Sequence, residues 1–234
     1  MRLRIWMVLT GCALAGSSYA QGLAAWSGAV DDGGNLSVST AAALAGTTYG
    51  MQVFVNNETN KYVFDETPAD EPRYRVRFYL DTNSYLPGLP TEDRRARVLL
   101  GLDTTPTVTR SLTVVLIRLG TQGGQYLLFF RARRNDGTFA DSPFINIADG
   151  EHLIEVDWQR ATTPAGTDGQ MRVWVDGGAS EGAPTATISN IANGSQGVDT
   201  TWMGTINIKP NASGTLYFDE FESRRQTYIG PVVP

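Results

Sequence analysis

The chain has one cysteine and one histidine in 234 residues, and each scarcity bounds its chemistry. Cys12 lies in the apolar stretch near the start, so cleavage after that stretch leaves no disulfide and no thiolate metal site. The fold must then rest on its core. His152 alone cannot build a metal cluster, nor a Ser-His-Asp relay without partners in space. It shares an apolar strand face with Ile154 and Trp158 and reads as a hydrogen-bonded structural residue.

Long apolar runs are also missing. Ile5 to Ala15 falls short of the ~20 residues that span a bilayer, so no transmembrane segment is expected. With Arg2 and Arg4 before it and Ser18-Tyr19-Ala20 after it, the stretch reads as a secretory signal over residues 1–20, cut before Gln21. Leu9-Thr10-Gly11-Cys12 resembles a bacterial lipobox and leaves lipid anchoring through Cys12 as the alternative to free secretion or periplasmic residence. Charged residues are only 18% and the formal net charge is −5. No Lys/Arg run or basic face is visible, so nucleic acid is not expected as a partner. No convincing amphipathic helix interrupts the chain.

Short apolar segments at intervals of about ten residues, bounded by Gly, Pro, Asp and Asn, predict an all-β chain. Gly and Pro number 25 and 11, a turn-rich composition. In Gly150 to Gln159, His152, Ile154, Val156 and Trp158 alternate with Leu153, Glu155, Asp157 and Gln159, which predicts a half-buried strand. Arg160 to Asp168 suits a reversal, and Met171, Val173 and Val175 alternate with Arg172, Trp174 and Asp176 on an antiparallel partner. Tyr74, Val76, Phe78 and Leu80 share one face of a further strand, with Arg75, Arg77 and Tyr79 on the other. Ser84 to Arg97 reads as a long surface loop. The sum is one domain over residues 21–234, a two-sheet antiparallel jelly-roll sandwich.

The strand pair Gly-Glu-His-Leu-Ile-Glu-Val-Asp-Trp and Gly-Gln-Met-Arg-Val-Trp-Val-Asp-Gly-Gly resembles the centre of laminin G-like domains. The closing Gly-Thr-Leu-Tyr-Phe-Asp-Glu-Phe-Glu resembles the last strand of concanavalin A-like lectins and glucanases. That resemblance implies a jelly roll and a role as lectin, adhesion module, glycosidase or lyase. The chain departs from it in having no Trp just before His152.

Glycosidases of the resembled superfamily carry Glu-x-Asp-x-x-Glu on one strand. Glu155-Val156-Asp157 starts that pattern, but Arg160 stands where the acid should be and cannot donate a proton. Glu220 and Glu222 form another acid pair without a third partner. Gly178-Ala179-Ser180-Glu181-Gly182 matches a nucleophile elbow only in form, since Pro184 and no later histidine follow. Trp174, in contrast, shares a face with Arg172, Asp176, Glu155 and Asp157, an aromatic plate among groups that bind hydroxyls. These five are the candidate ligand-binding residues. Asp219, by resemblance to jelly rolls that hold an ion there, is the candidate ligand of a structural calcium. The expected role is an exported, non-catalytic binding module for extracellular glycan or a surface protein. The alternatives are a carbohydrate-active enzyme of the same fold and a structural component of a surface or matrix assembly.

Overall fold

The computed structural model describes residues 23–233, so the expected signal segment, with Cys12 and the cut before Gln21, lies outside the described residues. The strands run in chain order as β1 (Gly28–Val30), β2 (Leu36–Ser39), β3 (Gly50–Val55), β4 (Lys61–Asp65), β5 (Arg73–Asp81), β6 (Asp93–Asp103), β7 (Thr109–Leu119) and β8 (Gln125–Arg133). They continue as β9 (Phe139–Asp141), β10 (Ile145–Ile147), β11 (Glu151–Gln159), β12 (Gly169–Val175), β13 (Ala186–Ile191), β14 (Thr200–Ile206) and β15 (Gly214–Arg224). Three single-turn 3-10 segments, at Leu23–Ala25, Thr40–Ala42 and Gly120–Gln122, are the helical elements among the described residues. None is long and apolar enough to cross a membrane.

Two antiparallel sheets result. The first has the order β1-β4-β14-β6-β7-β8-β10, with β9 also on β8, and the second has β13-β12-β11-β5-β15-β3-β2. The core lies between their inner faces and is built by the alternation read from the sequence. Tyr74, Val76, Phe78 and Leu80 meet Ile154, Val156 and Trp158 on the second sheet, and Leu112, Val114, Leu116, Leu128 and Phe130 face them from the first. Fully buried Trp158 is the largest side chain in it.

The β11/β12 pairing follows the expected antiparallel register, with Glu155 opposite Trp174 and Asp157 opposite Arg172. Two expectations change. The loop expected over Ser84 to Arg97 ends early, because β6 begins at Asp93 and pairs Arg95 with Ile117 and Arg97 with Val115. Charged residues on its outer face hid the strand. Nor is β11 half-buried: Leu153, Glu155 and Asp157 on its outer face are as covered as the core residues between them.

Glycine is required on β14. Gly204 has φ 149°, and a Cβ there would run into the Lys61 carbonyl oxygen and into Tyr62, its partner across the strand pair. Gly204→Ala should therefore cost about 1–3 kcal/mol, the usual range for a strained backbone position. Equilibrium urea unfolding measures it, and an unchanged midpoint would show that β4 yields without cost.

Candidate functional site

The predicted binding face, the outer face of the second sheet, is occupied by the protein itself. Across β12, β11, β5 and β15 it carries Arg172 and Trp174, Glu155 and Asp157, Arg73, Arg75 and Arg77, and Glu220 and Glu222. Trp174 is only 2% exposed. Its indole N–H donates to the Gly182 carbonyl at 3.0 Å, the Tyr228 ring lies edge-on at 5.6 Å, and the Arg75 guanidinium sits 4.7 Å from its centroid. A ligand plate it is not: the 178–185 loop and the C-terminal segment cover it.

Beneath that cover the charges are paired. Arg75, fully buried, reaches Glu155 through Nε and Glu181 through a terminal nitrogen at 3.0 Å. Glu155 also accepts the backbone amides of Ile229 at 3.0 Å and Gly230 at 2.8 Å, which fixes the C-terminal segment across the sheet. Asp157 takes Arg73 through two bonds of 2.8 Å and Arg172 through a third. Burial alone would raise the Asp157 carboxyl, but these charged hydrogen bonds outweigh it and hold it below its ordinary 3.8. Glu220 and Glu222 flank Arg77 at 3.6 and 3.2 Å, and burial pushes the Glu220 carboxyl up.

The remaining predicted residues fall elsewhere. Asp176, at φ 55° in the turn after β12, accepts the Leu153 amide and bonds His152 Nδ1 at 2.8 Å, so it and His152 close a strand end. The Asp219 carboxylate is engaged by protein donors, namely the Leu44 amide at 2.9 Å, the Thr47 hydroxyl and the Glu220 amide. Among the described residues no group of three or more His, Cys, Asp or Glu side chains could hold a metal ion. Ser180 lies in the exposed loop over Trp174.

The outer face of the first sheet differs. One row crosses six strands as Phe64, Trp202, Leu100, Thr113, Arg131 and Asp141, five strand spacings or about 24 Å. At one end Tyr62 and Trp202 stack with centroids 4.4 Å apart, both half-buried, beside Phe64. Gly28, opposite Phe64, makes room there, since a Cβ on it would collide with the phenyl ring. At the other end are Arg95 and Arg97 from β6, Arg110 from β7, and Arg131 and Arg133 from β8. A bulge at Ser111 places Arg110 opposite Leu102, off the inner series Leu112, Val114 and Leu116. The guanidiniums of Arg110, Arg131 and Arg133 surround the Phe139 ring at 5.6, 4.6 and 5.8 Å.

This overturns the expectation that the protein has no basic face. The five arginines come from three separate strands and never form a run in the sequence. Asp141 pairs with Arg131, and none of the other four forms a salt bridge among the described residues. Burial, then Arg110, Arg95 and Arg131, press the Arg97 guanidinium down to about 10, and burial with Arg133 and Arg131 lowers Arg110. A sheet face with half-buried stacked aromatic rings at one end and partly exposed, unpaired guanidiniums at the other, over a buried floor that includes Leu100 and Thr113, can grip an oxygen-rich ligand. A cavity of about 430 Å³ between Arg95, Ile117 and Lys209 extends it near the start of β6.

Removing one partner of a buried ion pair strands the other, which typically costs about 3–5 kcal/mol. Glu155→Gln should lose about that much and free the C-terminal segment, seen as faster amide exchange at Ile229 and Gly230. Asp157 contributes stability that is complete above its unfolded value of 3.8 and lost as pH falls through its lower folded value. Acid titration of Asp157→Asn against wild type should show the two stabilities converging in that window, and parallel curves would deny the linkage.

No family model matches the sequence, and no curated protein is similar to it. The catalytic domain of a glycoside hydrolase family 131 protein from Coprinopsis cinerea aligns at TM-score 0.49 and 10% identity, over 88% of this chain and 83% of that one. The alginate lyase from Klebsiella pneumoniae is similar in structure at TM-score 0.50 and 10% identity, over 82% of this chain and 84% of that one. At such identity the likeness concerns fold, and the fold is the two-sheet jelly-roll sandwich.

Proposed function

We propose that this protein is an exported, non-catalytic, laminin G-like module that binds extracellular glycan across the outer face of its first sheet. The observation that carries the reading is the row from Phe64 and Trp202 to Arg131, with Tyr62 stacked on Trp202. A sugar ring offers an apolar face for aromatic contact and hydroxyls for forked donors, and the two ends of this row supply these, over a buried middle at Leu100 and Thr113. Export is supported by the signal-like residues 1–20. The binding assignment thus moves from Trp174 to the opposite side of the sandwich. Lyases of the same architecture exist, as the Klebsiella pneumoniae protein illustrates, so turnover belongs in the test.

A glycan array read with the wild-type protein, Trp202→Ala and Trp174→Ala tests the reading. Trp202→Ala should weaken binding by the folded fraction about tenfold, in line with the value of an aromatic contact, and should also lower stability because Trp202 packs on Leu100, Leu102 and Ile206. Trp174→Ala should lower the melting temperature, because it empties a covered site, and should leave the affinity of the folded fraction intact. The reverse pattern would return the site to the second sheet. Release of unsaturated or reducing ends from a bound polymer would identify an enzyme, and silence across the array would favour a protein partner.

A further inference from the structure

Resting on the glycan-binding reading, we infer that the ligand of this face is a polyanionic polysaccharide, one that presents repeated carboxylate or sulfate groups along its chain. The molecule itself supplies the contrast that carries this. On the outer face of the second sheet, every arginine from β5 and β12 meets a carboxylate: Arg73 and Arg172 hold Asp157, Arg75 holds Glu155, and Arg77 lies between Glu220 and Glu222. On the outer face of the first sheet, Arg95, Arg97, Arg110 and Arg133 form no salt bridge among the described residues, and Asp141 answers Arg131 alone. A chain of net charge −5 gathers five like charges on one face and leaves four unmatched.

Guanidiniums can only donate, so an oxyanion above the four unpaired arginines would supply the acceptors they lack. The cations are also of one kind. Only two of the 19 basic residues are lysine, Lys61 and Lys209, and the planar arginine fork matches carboxylate and sulfate oxygens two at a time. Arg131 and Arg133 are two residues apart on β8, about 6.8 Å, and β6, β7 and β8 are about 4.8 Å apart. That spread suits a chain of repeated charges better than one small ion. The export signal favours an acidic polysaccharide over nucleic acid, the other common polyanion.

Binding is measured by titration calorimetry against polygalacturonate, heparin, dextran and single-stranded DNA, for wild type, Arg97→Gln, Arg110→Gln and Trp202→Ala, with melting temperatures alongside. The expected result is binding of polygalacturonate or heparin at least about tenfold tighter than dextran, weakening at least about tenfold between roughly 50 and 300 mM salt. The tighter of the two identifies carboxylate or sulfate as the recognised group. Arg110→Gln should cut this binding about tenfold while leaving the melting temperature level or higher, since it relieves repulsion within the cluster. A merely structural arginine would lower both together, and that outcome overturns the inference. Dextran bound as tightly as the acidic polymers, and lost in Trp202→Ala, would overturn the polyanion class and keep the glycan site. DNA bound as tightly as either acidic polymer would show an unselective cationic surface and overturn the inference. No binding to any polysaccharide would remove both readings.

Discussion

The buried pair of Glu155 and Arg75 is the interaction on which the rest of the architecture turns. Two opposite charges taken out of water are tolerable only when every remaining lone pair and proton is also satisfied. Here Arg75 reaches Glu181 and Glu155 takes the amides of Ile229 and Gly230, so the pair requires both the loop after β12 and the C-terminal segment in place. The Arg75 guanidinium then lies between the Trp174 and Tyr228 rings at 4.7 and 5.0 Å, which seals the layer. A sandwich has two outer faces, and this pair settles which one is closed.

That closure changes the meaning of charge on each side of the protein. Under the C-terminal segment, water is excluded and each guanidinium needs a carboxylate, so the charged residues act as cross-links between β5, β11, β12 and β15. On the first sheet, water reaches the arginines and screens them from one another, so carboxylate partners are not required for folding. The partial burial that lowers Arg97 and Arg110 shows where this screening begins to fail. Identical side chains on equivalent strand faces therefore do different things: one set holds the fold, the other is free to hold something else.

Much of this was legible in the sequence. Alternation gave the inner face of β5 and β11 residue by residue, the reversal at Arg160 to Asp168 gave the β11/β12 hairpin, and β4, β8 and β13 run over the expected residues. The grouping of Trp174, Arg172, Glu155 and Asp157 was also right as a register statement. That these residues are covered has a plain cause. Period-two patterning tells which residues share a face, but the cover comes from residues 178–185 and 226–232, distant in sequence and without periodic signal. The basic face was missed for a related reason. Arg95 with Arg97 and Arg131 with Arg133 each show the i, i+2 spacing of one strand face, yet only the β6-β7-β8 meander brings the pairs together.

Arg110 was beyond any such reading, and it shows how a local irregularity can shape a charged surface. In unbroken alternation Arg110 would follow Leu112, Val114 and Leu116 into the core, where a guanidinium without a partner could not stay charged. The bulge inserts Ser111 as an extra residue, and its hydroxyl donates to the Gly197 carbonyl at 2.6 Å, which holds the distortion in place. One residue of slip turns the rest of the strand over, because side chains change face at every step. Arg110 thereby joins Arg131 and Arg133 around Phe139, and the arginine cluster reaches from β6 to β9. The positive end of the open face thus depends on a hydrogen bond made by a buried serine, and removing that hydroxyl acts on the face without touching any residue that lines it.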